Sequence, residues 1–467
     1  MSDICVKIKN NYCKYIIQNF STWKNCKIKA VVVGAREFTY SVLYKMICCN
    51  IKKIKVHGKI LALCNENSLS FIVDLVTIMV TGNIPLIVPY YLHEDGLERV
   101  KIECNALTYR NSDIKELLNF HEEDREYVYK PRGFSGDIAM FIFSSGTTAK
   151  EKMIPISYKS LYYRICYTEK YFERKETYRE LFLAPLSSAL GLQHQLFPCL
   201  AKKCTIILYE GLMNPRKIVD LVYKYQIRYL SLVPSVLKCI YTYCLKKKEQ
   251  LPTVEKIFVC GEKSDAEFLR EIWQYFKTAK LYQAYGMSEI LPISIQYYEK
   301  KEDIVENCVG KIIEEVRLKI VEQDENGVGE ICVANSNIID NYYDTIESFE
   351  WLNTGDIGYV DDKQFLYIIG RKKNMVIVNG NKIYTEQIES IAEKFCGIDE
   401  VRAIGLKDNL RGETILLQIK LRDDNIGKIK FEELRGYIYQ NLHIPNVSIT
   451  IQIVKHIEKT HNLKKRR

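Results

Sequence analysis

Short apolar segments typical of buried β-strands alternate with amphipathic, helix-like segments up to about residue 310 of this chain. Clear strand-like segments are residues 30–33, 60–63, 138–142, 205–209 and 257–260. Residues 219–225 have the pattern of an amphipathic helix, and it leads into another strand at 228–232. Strands that alternate with helices form parallel sheets, because each crossover helix packs back on the sheet. The sequence therefore predicts an α/β fold of layered, largely parallel sheets with helices.

The pattern changes in the last third of the chain. Residues 316–367 alternate apolar and polar side chains, with a turn at 324–327, as antiparallel strands do. Further on, four apolar residues have the spacing of one helix face: Ile388, Ile391, Ala392 and Phe395. We therefore expect a large N-terminal body, residues 1–370, that includes a small β-rich subdomain. A small α+β C-terminal domain, residues 371–467, should follow it.

The longest apolar stretch, from Phe71 to Tyr91, has nearly the length of a membrane span. Polar residues and prolines interrupt it repeatedly. A buried helix over about 68–80, a Gly-Asn turn and a buried strand over 84–88 fit this composition better. We expect no membrane-spanning segment.

The composition excludes several classes of protein. The chain has 467 residues, 47% of them hydrophobic and 27% charged, as in globular proteins. Its 16 cysteines form no Cys-x-x-Cys pair, which argues against a disulfide framework or zinc site and for free thiols in the cytoplasm. The net charge of +9 suits a polyanionic ligand or an acidic protein partner, or has no functional meaning. Basic clusters interleaved with aromatic residues are absent, so we expect no nucleic-acid partner.

A run of small residues follows the strand-like segment 138–142: Ser144, Ser145, Gly146, Thr147 and Thr148, with Lys152 shortly after. Glycine permits unusual dihedral angles, hydroxyl and amide groups donate to phosphate oxygens, and lysine supplies positive charge. The run is not a Walker A loop, because no Gly-Lys-Ser/Thr closes it. It is either a phosphate-binding loop or an ordinary turn.

Further polar clusters suggest a nucleotide site. Tyr285 next to Gly286 is suited to stacking on a planar base, and the carboxylate of Glu289 is suited to a divalent cation. Asp356, at the end of a Thr-Gly-Asp run, is suited to ribose hydroxyls. Basic segments at 370–373 and 457–464 complete the set. Each cluster alone is also compatible with an ordinary turn, but their order and spacing together are specific.

This collinear set resembles the adenylate-forming (AMP-binding) superfamily of acyl- and aryl-CoA ligases, stand-alone adenylation domains and luciferases. The resemblance covers essentially the whole chain and includes residues 38–44, 233–235, 260–262 and 379–389. It implies an AMP-forming acid–thiol ligase with a mobile C-terminal domain. In such enzymes a carboxylate attacks the α-phosphate of ATP, which gives an acyl-adenylate and pyrophosphate. A thiol then takes the acyl group and releases AMP.

The resemblance also implies a role for individual residues. Thr147, Thr148 and Lys152 would hold the departing pyrophosphate, and Glu289 would bind Mg2+. Lys464 would bridge the carboxylate and the α-phosphate, and Lys373 would be the hinge. The other implied nucleotide-binding residues are Ser144, Ser145, Gly146, Gly261, Glu262, Ala284, Tyr285, Gly286, Ser288, Asp356 and Arg371.

Two motifs depart from the family pattern. Residues 149–153 read Ala-Lys-Glu-Lys-Met where the family usually has Gly-x-Pro-Lys-Gly, and Leu463 replaces the glycine before the late lysine. A nucleotide- or acyl-binding scaffold that has lost catalysis is therefore one alternative. The charged catalytic positions are all retained, which favours an active ligase.

For the acid and the thiol, the sequence predicts a chemical class and not a single compound. Residues 183–192 lack the aspartate that pairs with the α-ammonium in amino-acid adenylation domains, and Ser188 stands where acyl-acid ligases usually carry histidine. We expect a fatty or aromatic acid without an α-amino group, and an amino-acid adenylation enzyme is the alternative. The expected acid pocket includes Ser188, Ala189, Val233, Ser235 and Ile290. The thiol would be coenzyme A or the phosphopantetheine of a separate, acidic acyl or peptidyl carrier protein.

Overall fold

The computed structural model describes residues 19–64, 67–89, 92, 94–103, 105–109, 138–143, 152–334, 350–378, 381–408, 412–422, 429–442 and 447–458. The chain divides into two compact units. The first comprises Met1–Lys263, Arg270–Asp303 and Asn335–Phe349, and the second Ser264–Leu269, Ile304–Ala334 and Glu350–Arg467. This division reflects packing and not motion, so the predicted domain boundary at residue 371 stays a prediction.

The strands of the first unit are β1 (Lys29–Val33), β2 (Arg36–Thr39), β3 (Ile60–Cys64), β4 (Ile84–Val88), β5 (Leu107–Thr108), β6 (Ile138–Phe143), β7 (Met153–Ser157), β8 (Arg179–Phe182), β9 (Thr205–Leu208), β10 (Tyr229–Leu232), β11 (Lys256–Cys260), β12 (Lys280–Met287) and β13 (Ile290–Tyr298). The larger of its two sheets has the order β13-β12-β11-β10-β8-β9-β1-β2, parallel except at its two ends. The other has the order β5-β3-β4-β6-β7, and β7 alone runs antiparallel to its neighbour.

The strands of the second unit are β14 (Cys308–Ile312), β15 (Arg317–Val321), β16 (Gly329–Ala334), β17 (Leu352–Val360), β18 (Phe365–Arg371), β19 (Met375–Val378), β20 (Asn381–Tyr384), β21 (Ile398–Asp408), β22 (Gly412–Leu421) and β23 (Ile449–Ile453). The strands β15-β16-β17-β18-β14 pair antiparallel in that order. The strands β20-β19-β22-β21 are also antiparallel, and β23 joins β22 in parallel.

The helices are α1 (Tyr40–Lys53), α2 (Leu69–Val80), α3 (Glu94–Glu103), α4 (Tyr158–Phe172), α5 (Phe197–Lys202), α6 (Pro215–Tyr225), α7 (Pro234–Lys247), α8 (Ala266–Tyr275), α9 (Thr385–Glu393) and α10 (Phe431–Leu442). A π-helix, Leu190–Leu196, runs directly into α5. With the two largely parallel sheets and the antiparallel and α+β parts, these helices confirm the predicted α/β class.

The apolar stretch that begins at Phe71 forms a helix, a turn and a strand, as predicted. Ser68 caps the start of helix α2, because its hydroxyl accepts a hydrogen bond from the Phe71 amide at 3.2 Å, and every residue from Leu69 to Val80 is buried. Gly82, at φ +73°, then reverses the chain into β4. Across the described ranges, no helix combines the length and the hydropathy needed to cross a membrane.

The β15–β16 hairpin also has the predicted turn. The Asp324 carboxylate accepts hydrogen bonds from the amides of Asn326 and Val328, both at 2.9 Å, and Gly327 adopts φ +75°. One predicted helix was too long. Helix α9 ends at Glu393, so Phe395 lies beyond it, and Gly397 then turns the chain at φ +89°. Phe395 still packs on the same apolar core as Ile388.

The cysteines within the described residues carry free thiols, as predicted. Several of them, such as Cys199 and Cys244, are buried. Burial raises the pKa of the Cys244 thiol to about 12, so this group is neutral and belongs to the core.

Candidate functional site

Four neighbouring parallel strands, β8, β10, β11 and β12, present most of the predicted site residues of the first unit. In each case the predicted residues follow the strand or form its carboxyl end. They are Ser188 and Ala189 after β8, Val233 and Ser235 after β10, Gly261 and Glu262 after β11, and Ala284 to Glu289 at the end of β12. The carboxyl ends of parallel strands share one edge of a sheet, which is where open α/β folds bind ligands.

The ends of β10 and β11 are joined by a direct contact. Oε2 of Glu262 accepts a hydrogen bond of 3.1 Å from the Ser235 amide, in the first turn of α7. The other Glu262 oxygen, Oε1, and the Ser235 hydroxyl are buried without hydrogen-bond partners in the described part of the chain. Gly261 adopts φ +85°, and a Cβ atom there would lie 3.5 Å from Val233. Residues assigned to the nucleotide site and to the acid pocket therefore form one cluster.

The segment from Ala284 to Ile290 forms the tight β12–β13 turn. Ala284 pairs with Cys260 on β11, and Met287 pairs with Ile290 across the turn. The turn residue Glu289 is only 4% exposed, although a carboxylate in a turn is normally solvated. An internal partner must therefore hold this turn.

Arg164 of α4 is that partner, and the sequence analysis did not identify it. Its Nη1 donates to the Ser288 carbonyl oxygen at 3.1 Å, and its Nη2 donates to the Glu289 carbonyl oxygen at 2.9 Å. Nη1 also donates to Oε1 of Gln193, and Nε donates to the Ser160 hydroxyl at 3.0 Å. Burial lowers the pKa of Arg164 to about 10, against the opposing effect of the Glu289 carboxylate, so the guanidinium stays charged at neutral pH.

A sequence signal for Arg164 does exist. Leu161, Arg164, Ile165 and Thr168 share one face of α4 by helical spacing, and all are buried. A charged residue on the apolar face of a helix requires internal partners. What the sequence does not reveal is that these partners lie on the turn at residues 288–289.

Hydrogen bonds and a close backbone approach join the segment before the π-helix to its start. The Ser188 hydroxyl donates to the Pro185 carbonyl oxygen at 2.7 Å and accepts from the Gly191 amide at 3.0 Å. A Cβ atom at Gly191 would lie 2.3 Å from the Pro185 oxygen, so only glycine fits there. Ser188 and Ala189 are half-buried, and Ile290 is fully buried.

The second unit brings two other predicted residues together. Asp356 on β17 is paired in register with Arg371 on β18, and its Oδ1 lies 2.6 Å from Nε of Arg371. The Asp356 side chain is 7% exposed and that of Arg371 49%. The preceding Gly355 adopts φ +73°, a conformation that favours glycine at the centre of the Thr-Gly-Asp run.

The predicted hinge residue, Lys373, is exposed in a short 3-10 turn. Its neighbour Lys372 donates to Oε2 of Glu322 at 2.8 Å and to Oε2 of Glu330 at 2.7 Å, and both bonds raise the pKa of Lys372. These contacts anchor the chain directly before Lys373, and the role of Lys373 as a hinge stays a prediction.

The remaining predicted residues are placed only in part. Ser144, Ser145, Gly146, Thr147, Thr148 and Lys464 lie outside the described residues, so their roles stay predictions. Lys152 is exposed directly before β7, and β7 pairs antiparallel with β6, so residues 144–152 connect two adjacent strands.

Metal binding at Glu289 is compatible with its surroundings. The described residues contain no group of three or more His, Cys, Asp or Glu side chains able to hold an ion. Mg2+ does not require one, since it is usually bound by one or two carboxylates together with substrate phosphates. A single buried carboxylate fits that donor set.

Known proteins are similar to this chain in sequence and in fold. The 2-succinylbenzoate–CoA ligase of Staphylococcus aureus (strain MRSA252) is 27% identical over 334 residues, which are 70% of this chain and 64% of the relative. The match thus spans about 64% of the length of such 2-succinylbenzoate–CoA ligases.

Solved structures match over nearly the full chain. The o-succinylbenzoate CoA synthetase MenE of Bacillus subtilis, in complex with the acyl-adenylate intermediate OSB-AMP, has a TM-score of 0.82 at 18% identity, covering 97% of this chain and 96% of that chain. Its complex with ATP and magnesium ion has a TM-score of 0.80 at 18% identity, covering 97% and 98%. ATP-bound MatB from Rhodopseudomonas palustris has a TM-score of 0.82 at 17% identity, covering 97% of both chains. At these identities the similarity confirms the fold.

A sequence profile of the family described as AMP-binding enzyme matches residues 25–343. The match extends over more than half of the chain and includes the predicted phosphate loop and the turn that carries Glu289. It ends before Asp356, Arg371 and Lys464. The chain belongs to the AMP-binding enzyme family, as the resemblance to adenylate-forming enzymes predicted.

Proposed function

We propose that this protein is an AMP-forming acid–thiol ligase. It activates a carboxylic acid with ATP to an acyl-adenylate, releases pyrophosphate, and transfers the acyl group to a thiol with release of AMP. One observation carries the proposal: in a chain of this family, Ser188, Ser235, Glu262 and Glu289 follow four neighbouring parallel strands at a single sheet edge.

In the first step a carboxylate oxygen attacks the α-phosphorus, and the bond from this phosphorus to the bridging oxygen breaks, so that pyrophosphate leaves. The difficulty is repulsion between two anions, which amounts to several kcal/mol at contact in a partly dry site. The positive charge of Lys464 is assigned to offset this repulsion, and Thr147, Thr148 and Lys152 are assigned to the departing pyrophosphate.

Three residues are assigned to the nucleotide. Tyr285 stacks on adenine, Asp356 accepts hydrogen bonds from the ribose hydroxyls, and Arg371 contacts the nucleotide. Glu289 would hold Mg2+, which would supply positive charge to neutralise the phosphates. The hydrogen bonds from Arg164 to the turn support this role, because they fix the backbone that carries the Glu289 carboxylate.

The acid is a fatty or aromatic one without an α-amino group. Residues 183–192 offer no carboxylate to an ammonium group, and the similar S. aureus protein is a ligase for 2-succinylbenzoate, an aromatic acid. The same relative favours coenzyme A as the thiol. The phosphopantetheine of a separate carrier protein presents the same reactive group and is the second acceptor to test.

Acid-dependent ATP–pyrophosphate exchange tests the proposal. We expect exchange with fatty or aromatic acids and none with amino acids. Exchange with amino acids alone would indicate an amino-acid adenylation enzyme. Silence with every acid, while ATP still binds, would indicate a scaffold without catalysis. Adding coenzyme A, or a carrier protein whose phosphopantetheine thiol is free, to the active mixture then identifies the acceptor by AMP release.

Replacing Asp356 by asparagine is expected to weaken ATP binding about 10- to 100-fold, because charged hydrogen bonds to the ribose contribute about 1.5–3 kcal/mol. Isothermal titration with ATP measures this change. Asp361→Asn is the matched control, since the Asp361 carboxylate accepts hydrogen bonds from Lys363 and Phe365 within its own turn. An equal effect of both substitutions would contradict the role of Asp356.

A further inference from the structure

The side-chain amide of Gln193 has a fixed orientation. Gln193 is fully buried in the π-helix, and its Oε1 accepts a hydrogen bond from Nη1 of Arg164. A guanidinium carries donors only, so the amide oxygen and not the nitrogen must face Arg164. The Nε2 group therefore points away from Arg164, and it has no hydrogen-bond partner among the described residues.

Gln193 lies between the two parts of the proposed active site. The π-helix begins directly after Ser188 and Ala189, which belong to the proposed acid pocket. On its other side, Gln193 shares the Arg164 guanidinium with the carbonyl oxygens of Ser288 and Glu289. Gln193 thus lies in the segment that follows the residues assigned to the acid pocket, and Arg164 joins it to the turn that carries Glu289.

The charge of Arg164 favours an electron-rich partner for this amide. Among the described residues, Arg164 donates to a hydroxyl, a side-chain amide oxygen and two backbone carbonyl oxygens, and the Glu289 carboxylate also acts on it electrostatically. A buried cation makes its surroundings electropositive, and the Glu289 carboxylate offsets part of that charge. Carbonyl and carboxylate oxygens are stabilised in such surroundings.

We propose that the Nε2 group of Gln193 recognises an acceptor on the tail of the acid, so that the preferred substrate carries a carbonyl or carboxylate oxygen besides the carboxylate that is activated. This inference rests on the proposed ligase activity. A buried donor without an acceptor is unfavourable, and a substrate that supplies the acceptor removes this penalty. A site built around such a hydrogen bond rejects the analogue that lacks the acceptor.

Gln195 provides a matched control in the same π-helix. It is also fully buried, but its nitrogen donates to Oε1 of Glu180 at 2.9 Å and approaches the Leu181 carbonyl oxygen at 3.5 Å. Its nitrogen therefore belongs to the polar network of the core, while its Oε1 accepts no hydrogen bond from the described residues. Substitution of Gln195 should alter stability and leave the choice of acid unchanged.

The experiment compares sets of acids of equal chain length: the plain acid, its keto derivative and the corresponding dicarboxylate, in an aliphatic and an aromatic series. Pyrophosphate exchange gives kcat/KM for each acid. The measured ratio is kcat/KM for the acid that carries an acceptor divided by kcat/KM for the plain acid of the same length. We expect a ratio of about 10 or more for the wild-type protein. The keto and dicarboxylate arms distinguish a neutral acceptor from an anionic one.

Two substitutions test Gln193 itself. Gln193→Glu keeps an oxygen for Arg164 and removes the donor, and Gln193→Met removes both with little change of volume. We expect both to lower the ratio to about 1, with the dicarboxylate falling further in Gln193→Glu because two carboxylates repel each other. Gln195→Met should keep the wild-type ratio. Equal ratios in the wild-type protein and all three variants would overturn the proposal.

Thermal unfolding in the presence of each acid measures binding without catalysis. If the wild-type protein exchanges with no acid, the proposed ligase activity fails, and these shifts alone decide the role of Gln193. Larger stabilisation by acceptor-bearing acids, lost in Gln193→Met, would support recognition. Equal shifts for all acids would exclude it.

Discussion

Replacement of Lys464 by alanine is expected to lower the rate of acyl-adenylate formation by about 10²- to 10³-fold, the range found when one group that stabilises a developing charge is removed. Lys464 is the proposed cation between the attacking carboxylate and the α-phosphate. Thiol transfer does not require this positive charge, because the carboxylate and the α-phosphate are already joined in the adenylate at that stage. Acid-dependent pyrophosphate exchange measures the first step, and release of AMP from a preformed adenylate with thiol measures the second.

The neighbouring Lys465 serves as the control for this prediction. Lys465→Ala removes the same charge from the same basic end of the chain, and we expect it to leave both steps nearly unchanged. Equal loss of both steps in Lys464→Ala, or an equal effect of the two substitutions, would show that Lys464 does not act on the first step.

The fold class could be predicted because buried parallel strands leave a local signal. A strand covered on both faces is a continuous apolar run, and β9 and β11 consist almost entirely of such residues. The helix α2, the strand β4 and the β15–β16 turn were predicted correctly for the same reason, since caps and turns are also local. Individual ends were less predictable: α9 stops two residues before Phe395.

The internal support of the site could not be predicted, because it depends on contacts between distant residues. Arg164 and the carbonyl oxygen of Glu289 are 125 positions apart, and Ser235 and Glu262 are 27 positions apart. Local periodicity indicates that a residue is buried but does not indicate its partner. The pairing of Asp356 with Arg371 was predicted only in part. The resemblance to the family assigned both residues to the nucleotide site, but it did not predict that they form an ion pair.

Loss of Arg164 is expected to have the second large effect. Arg164→Ala leaves the Gln193 amide oxygen and the carbonyl oxygens of Ser288 and Glu289 without their donor. Each buried polar group left unpaired costs about 1–3 kcal/mol, so we expect the free energy of unfolding to fall by about 3–5 kcal/mol. Urea denaturation of the wild-type protein and of this variant measures the loss.

Arg164→Lys separates support of the turn from general stability. Lysine keeps the charge, but a single ammonium does not reproduce the planar fork that reaches both carbonyl oxygens. A shift of about 1 Å in the Glu289 carboxylate would lower kcat/KM for ATP about 10²-fold and raise the Mg2+ concentration needed for half-maximal exchange.

Arg174→Lys is the matched control for Arg164→Lys. Arg174 is equally buried, but its ion pairs are with Glu169 at 2.7 Å and Glu180 at 2.9 Å, and its Nη2 donates to the His194 carbonyl oxygen at 3.2 Å. We expect this variant to lose stability and to keep the wild-type Mg2+ dependence, because its partners belong to the core. Arg164→Lys could instead lose stability and keep the wild-type Mg2+ dependence. In that case Arg164 stabilises only the fold, and metal binding at Glu289 does not depend on Arg164.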